Sequence, residues 1–150
     1  MRKCVVIMFL LIISSCLSTT DVTYDQNFNY DYQKGQVYRT KIVLYVIEGS
    51  QVYLAEPGNY SPELENYLKN KKKYPDIKGI VKDNEKIVIE KITYRKTFES
   101  SYIDVFAKIL SGNFKGEHVR LNNISNYQFK PFPQGGHIPT INYKILEQIK

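Results

Sequence analysis

The sequence predicts a mainly β protein: a small antiparallel barrel with one short inserted helix and a short C-terminal helix. Three pairs of β-rich runs, each bent about turn-forming residues, give six short strands at close spacing, which is typical of a small barrel or sandwich. One internal segment combines helix start and stop signals. Setting aside residues 1–15 leaves 135 of the 150 residues, enough for one domain with a core but hardly for two.

The N-terminus has the layout of an export signal. Arg2 and Lys3 precede an uncharged, mostly apolar run over residues 4–13. That run is shorter than the roughly 20 residues that a transmembrane helix needs, and small residues follow it, as a signal peptidase requires. We therefore expect residues 1–15 to be a cleaved signal peptide.

The end of this signal carries a lipidation motif. Residues Ile13-Ser14-Ser15-Cys16 resemble the lipobox of bacterial lipoproteins, an aliphatic residue and two small residues before a cysteine. The resemblance implies that signal peptidase recognises Ile13, Ser14 and Ser15. It also implies that Cys16 receives a diacylglyceryl group, becomes the N-terminus and is acylated again, which would hold the protein at a membrane because stable anchoring takes at least two lipid signals. An ordinary cleaved signal or a short membrane anchor is the alternative.

The motif also bears on location and on cysteine chemistry. In lipoproteins of double-membrane bacteria an aspartate after the cysteine commonly causes retention at the inner membrane. In this chain Leu17 and Ser18 follow, so the resemblance favours the periplasmic face of the outer membrane if the organism has two membranes. Cys4 and Cys16 are the only cysteines, so a lipidated mature chain has no free thiol for disulfides, thiolate catalysis or metal binding.

Residues 16–33 are predicted to be the lipidated cysteine and a flexible tether. The stretch "LSTTDVTYDQNFNYDYQ" has no aliphatic periodicity, and as a coil of 17 residues it would span roughly 20–25 Å. Its aromatic residues are interpreted as interfacial rings of a disordered leader rather than as a partner-binding stripe.

Residues 34–127 are predicted to form the barrel. The first strand pair turns at Gly49-Ser50, the second at Asp83-Asn84, and the third at Gly112-Asn113 and Gly116. The element "GEHVRLNNIS", residues 116–125, is a Gly-x-x-Val-x-Leu run followed by a polar single turn, and it is similar to the corresponding part of SH3-like small barrels. The resemblance implies an SH3-like topology, and an OB-like barrel with an inserted helix fits the same order of elements.

The inserted helix is predicted to begin at Ser61-Pro62, a capping hydroxyl followed by a proline at the first helical position. Leu64, Tyr67 and Leu68 form an apolar stripe with which the helix would lid one opening of the barrel. A lysine cluster closes the helix before Pro75. The cluster is interpreted either as a contact for an anionic partner, contributing about 1 kcal/mol for each lysine at an anionic surface, or as a solvated helix end. Its members are Lys69, Lys71, Lys72 and Lys73.

Residues 128–150 are predicted to be a Pro/Gly-rich extension. The stretch "QFKPFPQGGHIPT" is interpreted as a loop that crosses the surface. A short helix should follow, because apolar residues recur at helical spacing, and a strand is the alternative. These apolar residues are Ile141, Ile145, Leu146 and Ile149.

No catalytic or metal site is predicted. A triad would need His118 or His137 beside Ser100 or Ser101 and an acid such as Asp104, but "FESSYID" lacks a Gly-x-Ser-x-Gly context. Two histidines without a cysteine are a poor ligand set, and no phosphate-binding or metal-binding motif is present, so we expect neither a metal nor a cofactor.

Two further patterns receive structural interpretations. Glu63 and Glu65 point in different directions on the predicted helix, so they are interpreted as helix-start acids rather than as a glycosidase pair. Aromatic and basic residues interleave at 94–98 and 127–132, as in proteins that bind single-stranded nucleic acid. In an exported protein we expect no nucleic-acid partner, and we interpret most of these rings as core and cross-strand packing.

The sequence therefore predicts a non-catalytic envelope lipoprotein that binds another envelope protein or component through its small barrel. The alternative is a lipid-anchored immunity or inhibitor protein that neutralises a toxin or an envelope-degrading enzyme. An enzyme with an unfamiliar set of residues is the third hypothesis.

Overall fold

A computed structural model of the chain describes residues 18–25, 28, 31–59, 61–97, 100–130 and 136–149, with only the backbone at 130. The predicted signal peptide and Cys16 lie outside the described residues. The predicted mainly β class is confirmed, because the described residues form eleven strands of one sheet and only short helices. None of the helices in this part of the chain is long and apolar enough to cross a membrane.

In chain order, the elements are β1 (Ser18–Asp21), β2 (Val37–Thr40), β3 (Leu44–Ile47), β4 (Tyr53–Ala55), helix α1 (Leu64–Lys69), a 3₁₀ turn (Lys71–Lys73), β5 (Ile77–Val81), β6 (Lys86–Lys96), β7 (Ser101–Ile109), β8 (His118–Arg120), a second 3₁₀ turn (Asn122–Ile124), β9 (Asn126–Lys130), β10 (Gly136–Thr140) and β11 (Leu146–Ile149).

The sheet is curled but not closed. Its hydrogen-bonded order is β11-β2-β6-β7-β8-β4-β3-β5, with β1 beside β6, and with β9 joined through β10 to β7. The order does not return to its first strand, so the predicted barrel lacks closure. However, β2 and β3, second and seventh in this order, are consecutive in the chain and separated only by residues 41–43. This short connection requires the sheet to curl around the core.

Two of the three predicted hairpins are confirmed. Strands β3 and β4 pair about Gly49-Ser50, and β7 pairs with β8 through turns in which Gly112 and Gly116 have positive φ. Residues 83–84 also form a turn, but β5 pairs with β3, and β6 pairs with β2 and β7. The reason is that Thr40 lies between the two arms of this turn, donating its hydroxyl to the Lys82 carbonyl at 2.7 Å and accepting the amide of Glu85 at 3.1 Å.

Helix α1 covers the outer face of β3 rather than an opening of the barrel. Leu44 and Val46 of β3 face the main core, whereas Tyr45 and Ile47 face a second cluster that contains the buried Tyr67 of α1. The rings of Tyr45 and Tyr67 are 5.1 Å apart. The predicted lid is therefore wrong, because alternation along β3 gives that strand two apolar faces and the helix buries the outer one.

The predicted start and stripe of the helix are partly wrong. The α-helix begins at Leu64, because the Ser61 hydroxyl donates to the Glu56 carbonyl at 2.7 Å and does not cap the helix. Of the stripe, Tyr67 is buried and Leu68 is exposed.

The described residues of the segment predicted to be a tether are part of the domain. Strand β1 pairs with the C-terminal half of β6, from Ser18 opposite Lys96 to Asp21 opposite Thr93. Further along, Tyr32 is only 1 % exposed, and burial raises the pKa of its hydroxyl to about 12. A tether was predicted because this polar segment lacks aliphatic periodicity. The segment instead packs through core residues that are far apart in the sequence, Val22 and Tyr32, and so give no periodic pattern.

The described residues of the C-terminal segment also belong to the sheet, so they do not form a separate extension; residues 131–135 of the predicted loop lie outside the described residues. Strand β10 pairs with β9, and β11 pairs with β2 over residues 146–149. The predicted C-terminal helix is therefore wrong, and the strand alternative is confirmed. The helical spacing arises because Ile141 and Ile145 flank a turn. In this turn the Asn142 carbonyl accepts the amides of Ile145 and Leu146, both at 2.9 Å. The side chains of Ile141, Ile145 and Leu146 all enter the core.

Replacing Tyr32 with Ala should lower the free energy of unfolding by about 3–5 kcal/mol, the usual cost of emptying a buried aromatic site. The ring packs 6.0 Å from that of Tyr38, and its hydroxyl is 3.0 Å from Ser125 Oγ. The matched control is Tyr24→Ala in the same segment, where the side chain is 78 % exposed. The control should change stability by less than about 0.5 kcal/mol. Urea unfolding measures the stability of both variants. Equal losses of stability would contradict the packing of Tyr32 in the core and would support the predicted tether.

Candidate functional site

The outer face of β6, β7 and β8 carries a groove of about 550 Å³. Alternate residues of these strands, such as Ile92, Ile103 and Val119, point into the core, so their neighbours point outward. Residues of β1 and of the β3–β4 turn complete the walls with hydroxyl and amide groups. The ionisable side chains that line the groove are Glu90, Lys91, Arg95, Asp104, His118 and Arg120.

A carboxylate lies between two arginines in this groove. Asp104 Oδ2 is 3.4 Å from Arg95 Nε, and Asp104 Oδ1 is 3.5 Å from Arg120 Nη1. The side chain of Asp104 is 7 % exposed, whereas those of Arg95 and Arg120 are 43 % and 25 % exposed. Because a buried carboxylate is costly unless it is paired, the two cations stabilise Asp104. One carboxylate against two guanidinium groups leaves one excess positive charge.

The register of the sheet produces this cluster. Thr93 is the cross-strand partner of Asp104, and Phe106 is the partner of Arg120. Arg95 and Arg120 are therefore diagonal neighbours of Asp104 on the two sides of β7, a separation that long side chains can span.

The other ionisable side chains of the groove also have close partners. His118 Nδ1 is 2.6 Å from Glu90 Oε2, and Lys91 Nζ is 3.6 Å from Asp21 Oδ2. Glu90 lies at a β-bulge, where the register of β6 against β7 shifts between Ile89 and Lys91. Bulges re-aim side chains, and this one directs Glu90 into the groove. The cluster of Arg95, Asp104 and Arg120 is thus the part of the groove where cations outnumber carboxylates.

An exposed line of aromatic side chains continues from the groove across the sheet. Arg95, Tyr102, His137 and Phe129 are successive cross-strand partners on β6, β7, β10 and β9. The Arg95 guanidinium lies 5.1 Å from the centre of the Tyr102 ring, and the rings of His137 and Phe129 are 5.7 Å apart. Phe129 is 64 % exposed. We call Tyr102, His137 and Phe129 the aromatic row.

This row changes the interpretation of the interleaved aromatic residues. Tyr94 is buried, as cross-strand and core packing predicts, but Tyr127 and Phe129 are exposed. Phe129 is therefore not a core residue, and its packing is the cross-strand contact with the His137 ring. The packing interpretation holds in part for Tyr127, whose hydroxyl donates to the Asn122 carbonyl at 3.0 Å.

The structure does not assemble the candidate catalytic residues into a triad. His118 and Asp104 both line the groove, each in the ionic contacts described above. The Ser100 hydroxyl donates to that of Tyr102 at 2.6 Å, and the Ser101 hydroxyl accepts from another tyrosine at 3.0 Å. No hydrogen bond links either serine to His118 or Asp104 in the described part of the chain.

The remaining candidates are dispersed. His137 lies on β10 rather than in the predicted loop. Glu65 pairs with Lys69 at 2.6 Å, one helical turn away, and Glu63 immediately precedes α1. Among the residues that the structure describes, no three His, Cys, Asp or Glu side chains are grouped so that they could hold a metal ion.

The lysine cluster lies on α1 and the 3₁₀ turn that follows it. Lys69 pairs with Glu65, and Lys71 and Lys73 lie 6.0 and 5.8 Å from the centres of tyrosine rings. Lys72 is exposed between them. These local contacts fit a solvated helix end, and contact with an anionic partner stays a prediction.

Sequence reasoning missed Arg120 and Tyr102, and it noted Arg95 only within the interleaved pattern at 94–98. One signal was present: Asp104 is an acid between two apolar residues, Ile103 and Val105, in a strand whose other face is buried. An acid in such a position needs a cationic partner. Which of the chain's 21 lysines and arginines supply it depends on the sheet register, which the local sequence does not contain.

Comparisons of the chain with protein-family models, curated proteins and solved structures find no match. The lipobox and SH3-like resemblances therefore stay predictions that rest on the residues quoted for them. The function must be inferred from the site itself.

Replacing Asp104 with Asn should lower the free energy of unfolding by about 1–3 kcal/mol, because it leaves two neighbouring arginines without the carboxylate between them. The matched control is Asp76→Asn at an exposed position, with an expected change below about 0.5 kcal/mol. Urea unfolding at low and high salt measures both. The loss should shrink at high salt, which screens the repulsion, and an Asp104 variant as stable as the control would contradict the cluster.

Proposed function

We propose that this protein is a non-catalytic lipoprotein of the bacterial cell envelope, anchored through Cys16, that binds another envelope protein or component through the groove of its β domain. The observation that carries the proposal is the Arg95–Asp104–Arg120 cluster. It is an ionic site with excess positive charge on the outer face of the sheet.

The arginines of the cluster retain donors for a ligand. Each guanidinium has five N–H donors, and the contacts with Asp104 are long for hydrogen bonds. A carboxylate or phosphate group on a ligand would match both the excess charge and the free donors.

The surroundings of the cluster are those of a binding surface. Arginine, tyrosine and phenylalanine are enriched at the centres of protein interfaces, and the Arg95 guanidinium lies over the exposed ring of Tyr102. His118 contacts Glu90 and Asp104 contacts the two arginines, and neither is directed at a nucleophile, which supports binding over catalysis.

The anchor is tested by replacing Cys16 with Ala in the full chain. Incorporation of labelled palmitate should be lost, and the protein should move from the membrane to the soluble fraction, because the thiol is the proposed attachment point of the lipid. Ser18→Ala is the matched control and should keep both properties. Palmitate labelling that persists in the Cys16 variant would refute lipidation at this residue.

The groove is tested by photo-crosslinking in living cells. A photoreactive phenylalanine analogue replacing His118, which lines the groove and is exposed, should give a discrete adduct. The same analogue at Tyr143, 61 % exposed and outside the groove, should not. Arg95→Gln with Arg120→Gln should remove the adduct. Arg39→Gln, at an exposed arginine paired with Glu147 at 2.6 Å on a different part of the sheet, should leave it unchanged.

The same experiment separates the two functional hypotheses. An adduct with a resident envelope component in unchallenged cells supports the proposed function. An adduct that appears only when a toxin or a wall-degrading enzyme is supplied supports an immunity or inhibitor protein. Equal adducts from the His118 and Tyr143 positions would refute the groove as the binding surface.

A further inference from the structure

The sheet has one end that lies close to the proposed lipid. Strand β1 begins at Ser18, two residues after Cys16, and two residues span at most about 7 Å. Ser18 is opposite Lys96, the last residue of β6, and Lys96 is opposite Ser101, the first residue of β7. Acyl chains on Cys16 would therefore hold this end of the sheet at the bilayer surface.

The aromatic row lies one residue from this end. Thr19, which follows Ser18, is opposite Arg95, and the aromatic row continues the same line of partners through β7, β10 and β9. One residue along a strand is about 3.3 Å, and four strand spacings make the line about 19 Å wide. The whole line is thus at nearly the same level, close to the anchoring point.

We propose that the aromatic row, with Lys96, is a second membrane contact that seats this end of the sheet in the headgroup region of the bilayer. The inference rests on the lipidation of Cys16 in the proposed function. It names a lipid surface as the occupant of an exposed face that the described residues leave uncovered.

The chemistry of the row fits that occupant. Aromatic side chains with a polar edge, as in tyrosine and histidine, are favoured at the level of the headgroups, where one part of the ring is apolar and another is hydrated. Phe129 supplies apolar surface, since most of its side chain is exposed. The exposed Lys96 adds a cation that suits anionic headgroups and can extend to the interface from its long apolar stem.

The contact would also orient the groove. Arg95 lies at the membrane end of the groove, whereas His118 is opposite Lys108, six residues along β7 from Tyr102. Six residues of strand are about 20 Å. The groove would therefore run away from the bilayer and leave its His118 end open to a partner.

Tryptophan fluorescence tests this contact directly, because the chain contains no tryptophan of its own. Phe129→Trp is introduced into the full lipidated chain, which is reconstituted into vesicles of phosphatidylcholine and phosphatidylglycerol. The emission should shift to shorter wavelength, and vesicles with brominated acyl chains should quench it. Tyr143→Trp, at an exposed ring outside the row, is the matched control and should show neither effect.

The outcomes separate this inference from the proposed function. Protein that floats with the vesicles but shows the same Phe129→Trp emission in brominated and ordinary lipid overturns the membrane contact and leaves the anchor intact. Failure of both wild type and variants to float overturns the anchor itself. A photoreactive group at position 129 that forms a protein adduct rather than a lipid adduct in cells also overturns the inference, because it assigns the row to a protein partner.

Discussion

The register of strand β6 is the constraint on which both the core and the site depend. One edge of β6 pairs with β2 and then β1, and the other pairs with β7 along almost its whole length. Before the bulge at Glu90, Ile89 points inward, and after it Ile92 points inward while Lys91 and Arg95 point outward. Strict alternation without the extra residue would have turned Ile92 to solvent and Arg95 into the core. The same bulge therefore completes the apolar core and assembles the charged groove.

The parts of the fold that the sequence predicted are those that depend on local conformation. The turns at Asn84, Gly112 and Gly116 require positive φ, at 64°, 76° and 96°, and residues that tolerate this conformation are visible in the sequence. The pairing between strands could not be predicted in this way, because it is decided by residues that are distant in the chain. Thr40 separates the two arms of the predicted second hairpin from 42 residues away, and β11 is a strand because the edge of β2 is available to it. Neither cause is present in the local pattern.

The charged site also depends on strand pairing rather than on the local sequence. The most visible charge in the sequence, the lysine cluster, makes much of its contact with its own helix and neighbouring rings. The charge that lacks compensation is instead spread over three strands, where Arg95 and Arg120 are 9 and 16 residues from Asp104 in the chain and meet only through cross-strand register. Density of charge in a sequence is thus a poor guide to uncompensated charge in a structure. An isolated acid in a half-buried strand, as Asp104 is, was the better local signal.

If Cys16 carries the proposed lipid, the pairing of β1 with β6 favours a resident partner over a diffusing one. As a coil, residues 17–33 would let the domain sample a range of roughly 20–25 Å above the membrane and rotate freely. With β1 paired to β6 from Ser18 onward, a lipid on Cys16 leaves Leu17 alone between the anchor and the sheet. A partner fixed in the same envelope layer gains from this arrangement, because restricted reach and orientation raise its effective concentration at the groove and lower the entropic cost of binding. A toxin or wall-degrading enzyme arriving from solution gains no such advantage, since its own position and orientation remain free until it binds. With the proposed lipid on Cys16, the pairing of β1 with β6 would therefore favour an anionic ligand that is already held close to the membrane surface.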